Sequence, residues 1–175
     1  NSNSTGNGGG GVTLNHANYT TLMDNIIELN TDYGIEIVTS WNNNVTNNTV
    51  NESLSLAGRG LYLIATAANN TIANNNIMNH NTGIDISISS SNNVIIDNFV
   101  IDNTAWDFKS DSSSTNNVIT NLTTNDTASS FTYSGSILLK DASSPAADPT
   151  GYLNSSHYLN ITNTSAAWVY LNVSY

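Results

Sequence analysis

Between residues 69 and 121 one short phrase is written three times. It runs Asn-Asn-Thr-Ile-Ala-Asn-Asn-Asn-Ile from Asn69, Asn-Asn-Val-Ile-Ile-Asp-Asn-Phe-Val-Ile from Asn92, and Asn-Asn-Val-Ile-Thr-Asn-Leu-Thr from Asn116. A fixed period of this size constrains the fold strongly, because each repeat must be one unit that stacks on the next. Three columns set the register. An apolar column holds Leu22, Val45, Ile72, Ile95 and Val118. An Asn column follows, with Asn25, Asn48, Asn75, Asn98 and Asn121, and then a second column of Ile27, Val50, Ile77, Val100 and Thr123. The steps are 23, 27, 23 and 23 residues, and the long step places an inserted loop at 51–59. A fourth mark is Gly34-Ile35-Glu36-Ile37, repeated as Gly60-Leu61-Tyr62-Leu63, Gly83-Ile84-Asp85-Ile86 and Ala105-Trp106-Asp107-Phe108. In the fifth turn only Ala128 stands in the matching place.

Such repeats hold strands too short to bury a face alone. Apolar and polar residues alternate, as in Ile84-Asp85-Ile86-Ser87-Ile88, which is the pattern of a half-buried strand. Stacking turn on turn gives each apolar residue a like neighbour about 4.8 Å away. Asn tolerates the left-handed backbone of a sharp corner. Stacked in register, its amide hydrogen-bonds to the Asn above and below. The chain is therefore expected to be all-β, a parallel β-helix of about five turns with a period of about 23 residues, followed by a short C-terminal β segment. A leucine-rich horseshoe needs a Leu-x-x-Leu-x-Leu pattern that the sequence lacks.

The motif Asn-x-[Ile/Val]-x-x-Asn, followed by Gly-Ile-x-[Ile/Leu] and a Ser/Asn-rich turn, resembles the right-handed β-helix repeats of the NosD-like, carbohydrate-binding-and-hydrolase type found in many archaeal cell-surface proteins. The resemblance covers about residues 14–140. It implies a right-handed coil and an exported, cell-surface location. It leaves function open, since that family spans enzymes, binding modules and passive scaffolds.

Charge and composition exclude several partners. The chain has no Cys, so disulfides, thiolate metal sites and a Cys nucleophile are excluded. Its net charge is −10, with only Arg59, Lys109 and Lys140 positive. Phosphate-backbone binding needs Lys and Arg, so nucleic acid is not an expected partner. No run approaches the roughly 20 apolar residues of a membrane span, so no membrane insertion is expected. Asn is the commonest residue, 32 of 175. Twelve Asn-x-Ser/Thr sequons occur, against roughly eight expected from composition alone. The candidates for N-glycosylation are Asn3, Asn18, Asn44, Asn47, Asn51, Asn69, Asn125, Asn154, Asn160, Asn163 and Asn172. The twelfth, Asn121, is assigned to the internal Asn column and expected to stay unmodified.

Along the chain, residues 1–11 read as a Gly/Asn-rich arm or linker and 12–140 as the β-helix. Within it, Phe131 to Leu139 is expected to add a strand that closes the end of the stack. Residues 141–149 hold both prolines and read as a linker. Residues 150–175 read as two alternating strands, either the start of a sandwich or an inter-subunit strand pair. The sequence opens on Asn1 rather than on a methionine and shows no signal peptide, so it is expected to be a segment of a longer exported protein.

Candidate chemistry is thin. Glu36, Tyr62, Asp85 and Asp107 are expected to stack on the outside of one sheet, with Lys109 on the same face. Asp85 and Asp107 are the candidate ligands for a Ca²⁺ ion, although ordinary solvent-facing positions explain the column as well, and no other cofactor is expected. His16, His80 and His157 show no metal-binding spacing. Arg59 with Tyr62 is all that matches a β-helix lyase, and no catalytic constellation is assigned. Trp106 is expected in the core, in the column of Ile84, and Trp41 at an exposed corner. The reading that follows is a non-enzymatic extracellular structural subunit of a surface layer, sheath or filament. It would self-associate into a homopolymer or lattice through its terminal strands. A carbohydrate-binding module that contacts surface glycans through Asp85, Asp107 and Tyr62 is the alternative, and a polysaccharide lyase or epimerase comes after it.

Overall fold

A computed structural model describes residues 2–111 and 113–124 with their side chains, and beyond them the strand course alone for 127–134, 136–141, 152–154, 157–162 and 170–174. The described residues contain strands and no helix. The coil opens with β1 (Asn3–Thr5) and β2 (Val12–Asn15). Three strands per turn follow: β3 (Thr21–Met23), β4 (Ile26–Asn30) and β5 (Tyr33–Val38), then β6 (Asn44–Thr46), β7 (Thr49–Ser53) and β8 (Arg59–Ile64). The next two turns are β9 (Thr71–Ala73), β10 (Asn76–Met78) and β11 (Thr82–Ile86), and β12 (Val94–Ile96), β13 (Phe99–Ile101) and β14 (Trp106–Ser110). Each strand pairs in parallel with its counterpart one turn on, as Val45 does with Ile72 and Ile35 with Leu61. This is a parallel β-helix. Residues 1–11 were expected to be an arm, yet β1 pairs in parallel with β4, and the Gly11 N–H donates to the Tyr33 carbonyl. Asn7 donates to Asn30 Oδ1 through both its N–H and its side-chain amide, so polar ladder contacts hold this stretch where no apolar side chain is present to bury.

The interior is a set of like-on-like columns. Val45, Ile72, Ile95 and Ile119 form one, Ile27, Val50, Ile77 and Val100 a second, and Ile35, Leu61, Ile84 and Phe108 a third, all buried. Each Val, Leu or Ile so buried contributes about 1.5–3 kcal/mol relative to exposure.

Corners are built from Asn-Asn pairs. The first Asn takes the left-handed backbone and faces water, as at Asn42, Asn69, Asn92 and Asn116, and again at Asn47 and Asn74. The second turns inward. Asn48 donates its N–H and its side-chain amide to Asn75 Oδ1, and Asn75 does the same to Asn98, at 2.9–3.0 Å. A second ladder, not singled out from the sequence, runs Asn43, Asn70, Asn93 and Asn117 with the same geometry. The doubled Asn that opens each of the three repeated phrases was its signal.

Two register corrections follow. The long step does place an insertion after Ser53: the offset is 23 residues at Asn30–Ser53 and 26 at Tyr33–Arg59. It reaches 27 only at Trp41–Ala68, so one inserted residue lies outside the 51–59 loop. The last described turn is 24 residues long, because one extra residue enters at Thr104–Ala105: the His80 N–H meets Asn103, 23 residues on, whereas Thr82 pairs with Trp106, 24 on. Hence Ile119, not Val118, stacks on Ile95. Leu122, fully buried, takes the ladder position expected for Asn121. Asn121 instead lies at an exposed left-handed corner and donates to Asp97 Oδ1 at 2.7 Å. Phe108, not Trp106, is the core residue stacked on Ile84, and Trp106 is half-buried.

Beyond the fourth turn the pairing changes direction. β15 (Thr115–Thr124) continues the parallel stack, and β16 (Thr127–Ser134) returns antiparallel on it. β17 (Ser136–Asp141) pairs antiparallel with β14. The single closing strand expected at 131–139 is thus two strands, one on each sheet. β18 (Tyr152–Asn154) and β19 (His157–Thr162) extend the β17 side, and β20 (Tyr170–Ser174) extends the β16 side. The C-terminal strands expected to reach a neighbouring subunit are therefore paired within their own chain. The proline-bearing linker lies outside the described residues.

Candidate functional site

The outer face of the sheet formed by β2, β5, β8, β11 and β14 carries the charged cluster. Strand alternation points Glu36, Tyr62 and Asp85 outward between buried neighbours, and parallel pairing stacks them. The next residue in this ladder is Lys109, not Asp107 as expected. The extra residue at Thr104–Ala105 moves Asp107 to the register position of Gly83, where it is buried and accepts a hydrogen bond from the Asn103 side chain at 3.0 Å. Asp85 and Asp107 therefore do not form a carboxylate pair. Among the described residues no three of His, Asp and Glu gather in a way that could hold a metal ion.

Asp85 is only 1% exposed although it lies on an outer face. Arg59 Nε donates to its Oδ2 at 2.9 Å, Lys109 Nζ lies 3.5 Å from the same oxygen, and Ser87 Oγ donates to Oδ1 at 2.5 Å. Arg59 also sits 4.3 Å from the centre of the Tyr62 ring. Two of the chain's three cations thus converge on one carboxylate, from the turns before and after it. Their side chains are a third or more exposed, so solvent screening holds each contact to about 1 kcal/mol or less. The buried carboxylate nonetheless requires them, because an unpaired buried charge is strongly unfavourable. Burial pushes the Tyr62 phenol above its ordinary value, Arg59 pulls it back, and Asp85, Glu36 and Asp111 push it further up. Chemically the cluster ties three turns together and presents an aromatic face topped by a cation.

His16 lies exposed at a left-handed corner, against the Asn15 side chain. His80 is buried and occupies a corner ladder between Ser53 and Asn103. Its Nε2 is 3.3 Å from the Val50 carbonyl, and its Nδ1 has no hydrogen-bond partner. Burial lowers its pKa from 6.5 to about 4, partly opposed by the Val50 contact. The neutral ring is therefore the form the fold selects. Its contribution is complete above the unfolded value and is lost as pH falls through the interval down to the folded one. We expect the wild-type chain to lose about 3 kcal/mol of stability between those pH values, and His80→Asn, which restores the ladder residue of the column, to lose little there. Urea unfolding at a series of pH values measures the difference. Asp111 acts in a lower window. Burial raises its pKa, but donors from Ile88, Ser113 and Ser114 outweigh this and hold it below 3.8, so its contribution disappears only as pH falls through that lowered value.

Of the sequon acceptors, Asn3, Asn44, Asn47 and Asn69 are exposed and Asn18 and Asn51 half-buried. The side chains of Asn125, Asn154, Asn160, Asn163 and Asn172, and that of His157, lie outside the described residues. Trp41 is exposed at its corner, as expected.

Comparison with known proteins gives one family. The family described as a right-handed beta helix region matches residues 1–100. No match was found among curated proteins or among solved structures.

Proposed function

The chain belongs to the right-handed β-helix family, and from that premise we propose that it is an extracellular structural module, a rigid rod used as a subunit of a surface layer, sheath or filament. The observation that carries this reading is the commitment of polar groups to turn-to-turn contacts. In the middle turns the amides of Asn48, Asn70, Asn75 and Asn93 each accept from the turn before and donate to a backbone carbonyl. The clustered charges do the same on the outer face, where Arg59 and Lys109 clamp Asp85. Groups so engaged resist bending and unwinding, which suits a load-bearing rod of the archaeal cell-surface kind that the repeat resembles. With the C-terminal strands paired in their own chain, contacts between copies would use the outward edges of β18 and β20. Electron microscopy and intact mass of the native assembly test the reading. Ordered fibres or sheets are expected. Isolated particles at every concentration would overturn it.

A carbohydrate-binding module is the second reading, and one observation favours it: the Arg59 guanidinium over the Tyr62 ring, with Lys109 beside Asp85. Glycan-array binding that is lost in Tyr62→Ala while the fold persists would establish it. An array without signal would remove it.

A further inference from the structure

We infer that the face built on β6 and β9 is the glycan-bearing face of the rod, with Asn44, Asn47 and Asn69 as the N-linked acceptors. The inference rests on the extracellular reading above.

The motif requires an acceptor amide and a hydroxyl two residues later, and here the fold presents both to water. In Asn44-Val45-Thr46 strand alternation does this directly: Asn44 is exposed, Val45 fully buried and Thr46 half-buried on the outer side. In Asn47-Asn48-Thr49 and Asn69-Asn70-Thr71 the corner does it. Asn47 and Asn69 take the left-handed backbone and face water, while Asn48 and Asn70 turn into the ladders at 1% and 0% exposure. Thr49 and Thr71 then open the next strands, half-buried. The middle residue of each sequon is thus pinned inside, and the two reacting partners are left outside. Asn44 pairs with Thr71 across adjacent rungs, so the first acceptor lies about 4.8 Å from the hydroxyl residue of the third sequon.

Other acceptors are placed differently. Asn3 is exposed too, but on β1, outside this face, and Asn18 is half-buried and accepts from the Trp41 N–H. Asn121 donates its amide nitrogen to Asp97 Oδ1, and that nitrogen is the atom a glycan would occupy. Asn51 is half-buried and accepts from Asn79. No sequon falls on β2, β5, β8, β11 or β14, the strands around Arg59, Tyr62 and Asp85, whereas Asn154 and Asn160 fall on β18 and β19 at the far end of the same sheet. The β6–β9 face would thus be sheathed in sugar, and the stretch from β2 to β14 left without it.

The step needs a lipid phosphate- or pyrophosphate-linked oligosaccharide as donor. The bond from the anomeric carbon to phosphate oxygen breaks, the bond to Asn Nδ2 forms, and the lipid phosphate or pyrophosphate leaves, with the proton lost from Nδ2 balancing the charge on the leaving oxygen.

The test is glycopeptide mapping of the full chain secreted by a host that glycosylates a co-secreted reporter. Sugar is expected on Asn69 and on Asn44, Asn47 or both, and not on Asn51 or Asn121. Thr46→Ala, Thr49→Ala and Thr71→Ala together should remove it from this face, with the melting temperature of the enzymatically deglycosylated chain little changed. A bare β6–β9 face beside a modified reporter would overturn the inference, as would sugar on Asn121 or Asn51 in its place. Assembly of the native material is scored separately by microscopy, so a bare chain that still forms fibres removes the glycan face and leaves the structural reading standing.

Discussion

Asn75→Ala is expected to destabilise the fold by about 4 kcal/mol, a fall in melting temperature of roughly 10–15 °C. The side chain is fully engaged at the centre of its ladder. Its Oδ1 accepts both the N–H and the side-chain amide of Asn48, and its Nδ2 donates to the Val45 carbonyl, all within 3.0 Å. Alanine leaves the buried Asn48 N–H without its partner, at about 1–3 kcal/mol. It also removes the bonds to the Asn48 amide, which keeps the Leu22 and Thr46 carbonyls, to the Val45 carbonyl and to Asn98 Oδ1, at about 0.5–1.5 kcal/mol each. The exposed neighbour Asn74 supplies only the left-handed corner. Asn74→Gly should therefore cost less than about 1 kcal/mol, because glycine adopts the same backbone without strain. Denaturant unfolding of Asn75→Ala and Asn74→Gly side by side measures the contrast. Equal losses would mean that the inward ladder is not what holds the turns.

The second large effect separates two registers. Phe108→Ala should cost about 3–5 kcal/mol, because it empties the end of the column Ile35, Leu61, Ile84 and Phe108. Trp106→Ala should cost less, since Trp106 is half-buried and pairs with Thr82 rather than Ile84. In the register that the Gly-Ile-x-Ile mark implies, a step of 22 residues from Ile84, Trp106 would fill the core as well, and Trp106→Ala would cost at least as much as Phe108→Ala. Thermal melts of the two variants decide between them. A larger loss for Trp106→Ala would overturn the shifted register.

Much of the fold is legible before any coordinates. Leu22, Val45, Ile72 and Ile95 recur at steps that only a stacked coil satisfies, and the strands pair them as expected. The Asn column from Asn25 to Asn98 forms the expected ladder. The candidate site was less legible. Asp85 was identified as an outward residue of a ladder, but its burial was not, because burial depends on which side chains cover it. Arg59 reaches it from 26 residues earlier, and no spacing rule marks that contact. His80 read as a scattered histidine. Its place in a ladder column shows only once Ser53 and Asn103 are known to flank it.

The sequence by itself determined the architecture, since a repeat of short alternating strands with Asn at its corners can bury its apolar face only by stacking on its neighbours. Only the tertiary structure decided the register after Asn103 and the direction of the strands after Asn121. A single extra residue at Thr104–Ala105 is almost silent in a periodic pattern that already tolerates a step of 27. The mark Ala105-Trp106-Asp107-Phe108 stands 22 residues after Gly83-Ile84-Asp85-Ile86, whereas the strands pair at 24. Because side chains alternate with a period of two, this slip of two keeps inside and outside but changes which residue meets which. That slip places Lys109 rather than Asp107 beside Asp85, and Phe108 rather than Trp106 in the core. The choice was made by packing, because a column can continue only with a side chain that fills it and a buried carboxylate only with a cation in reach.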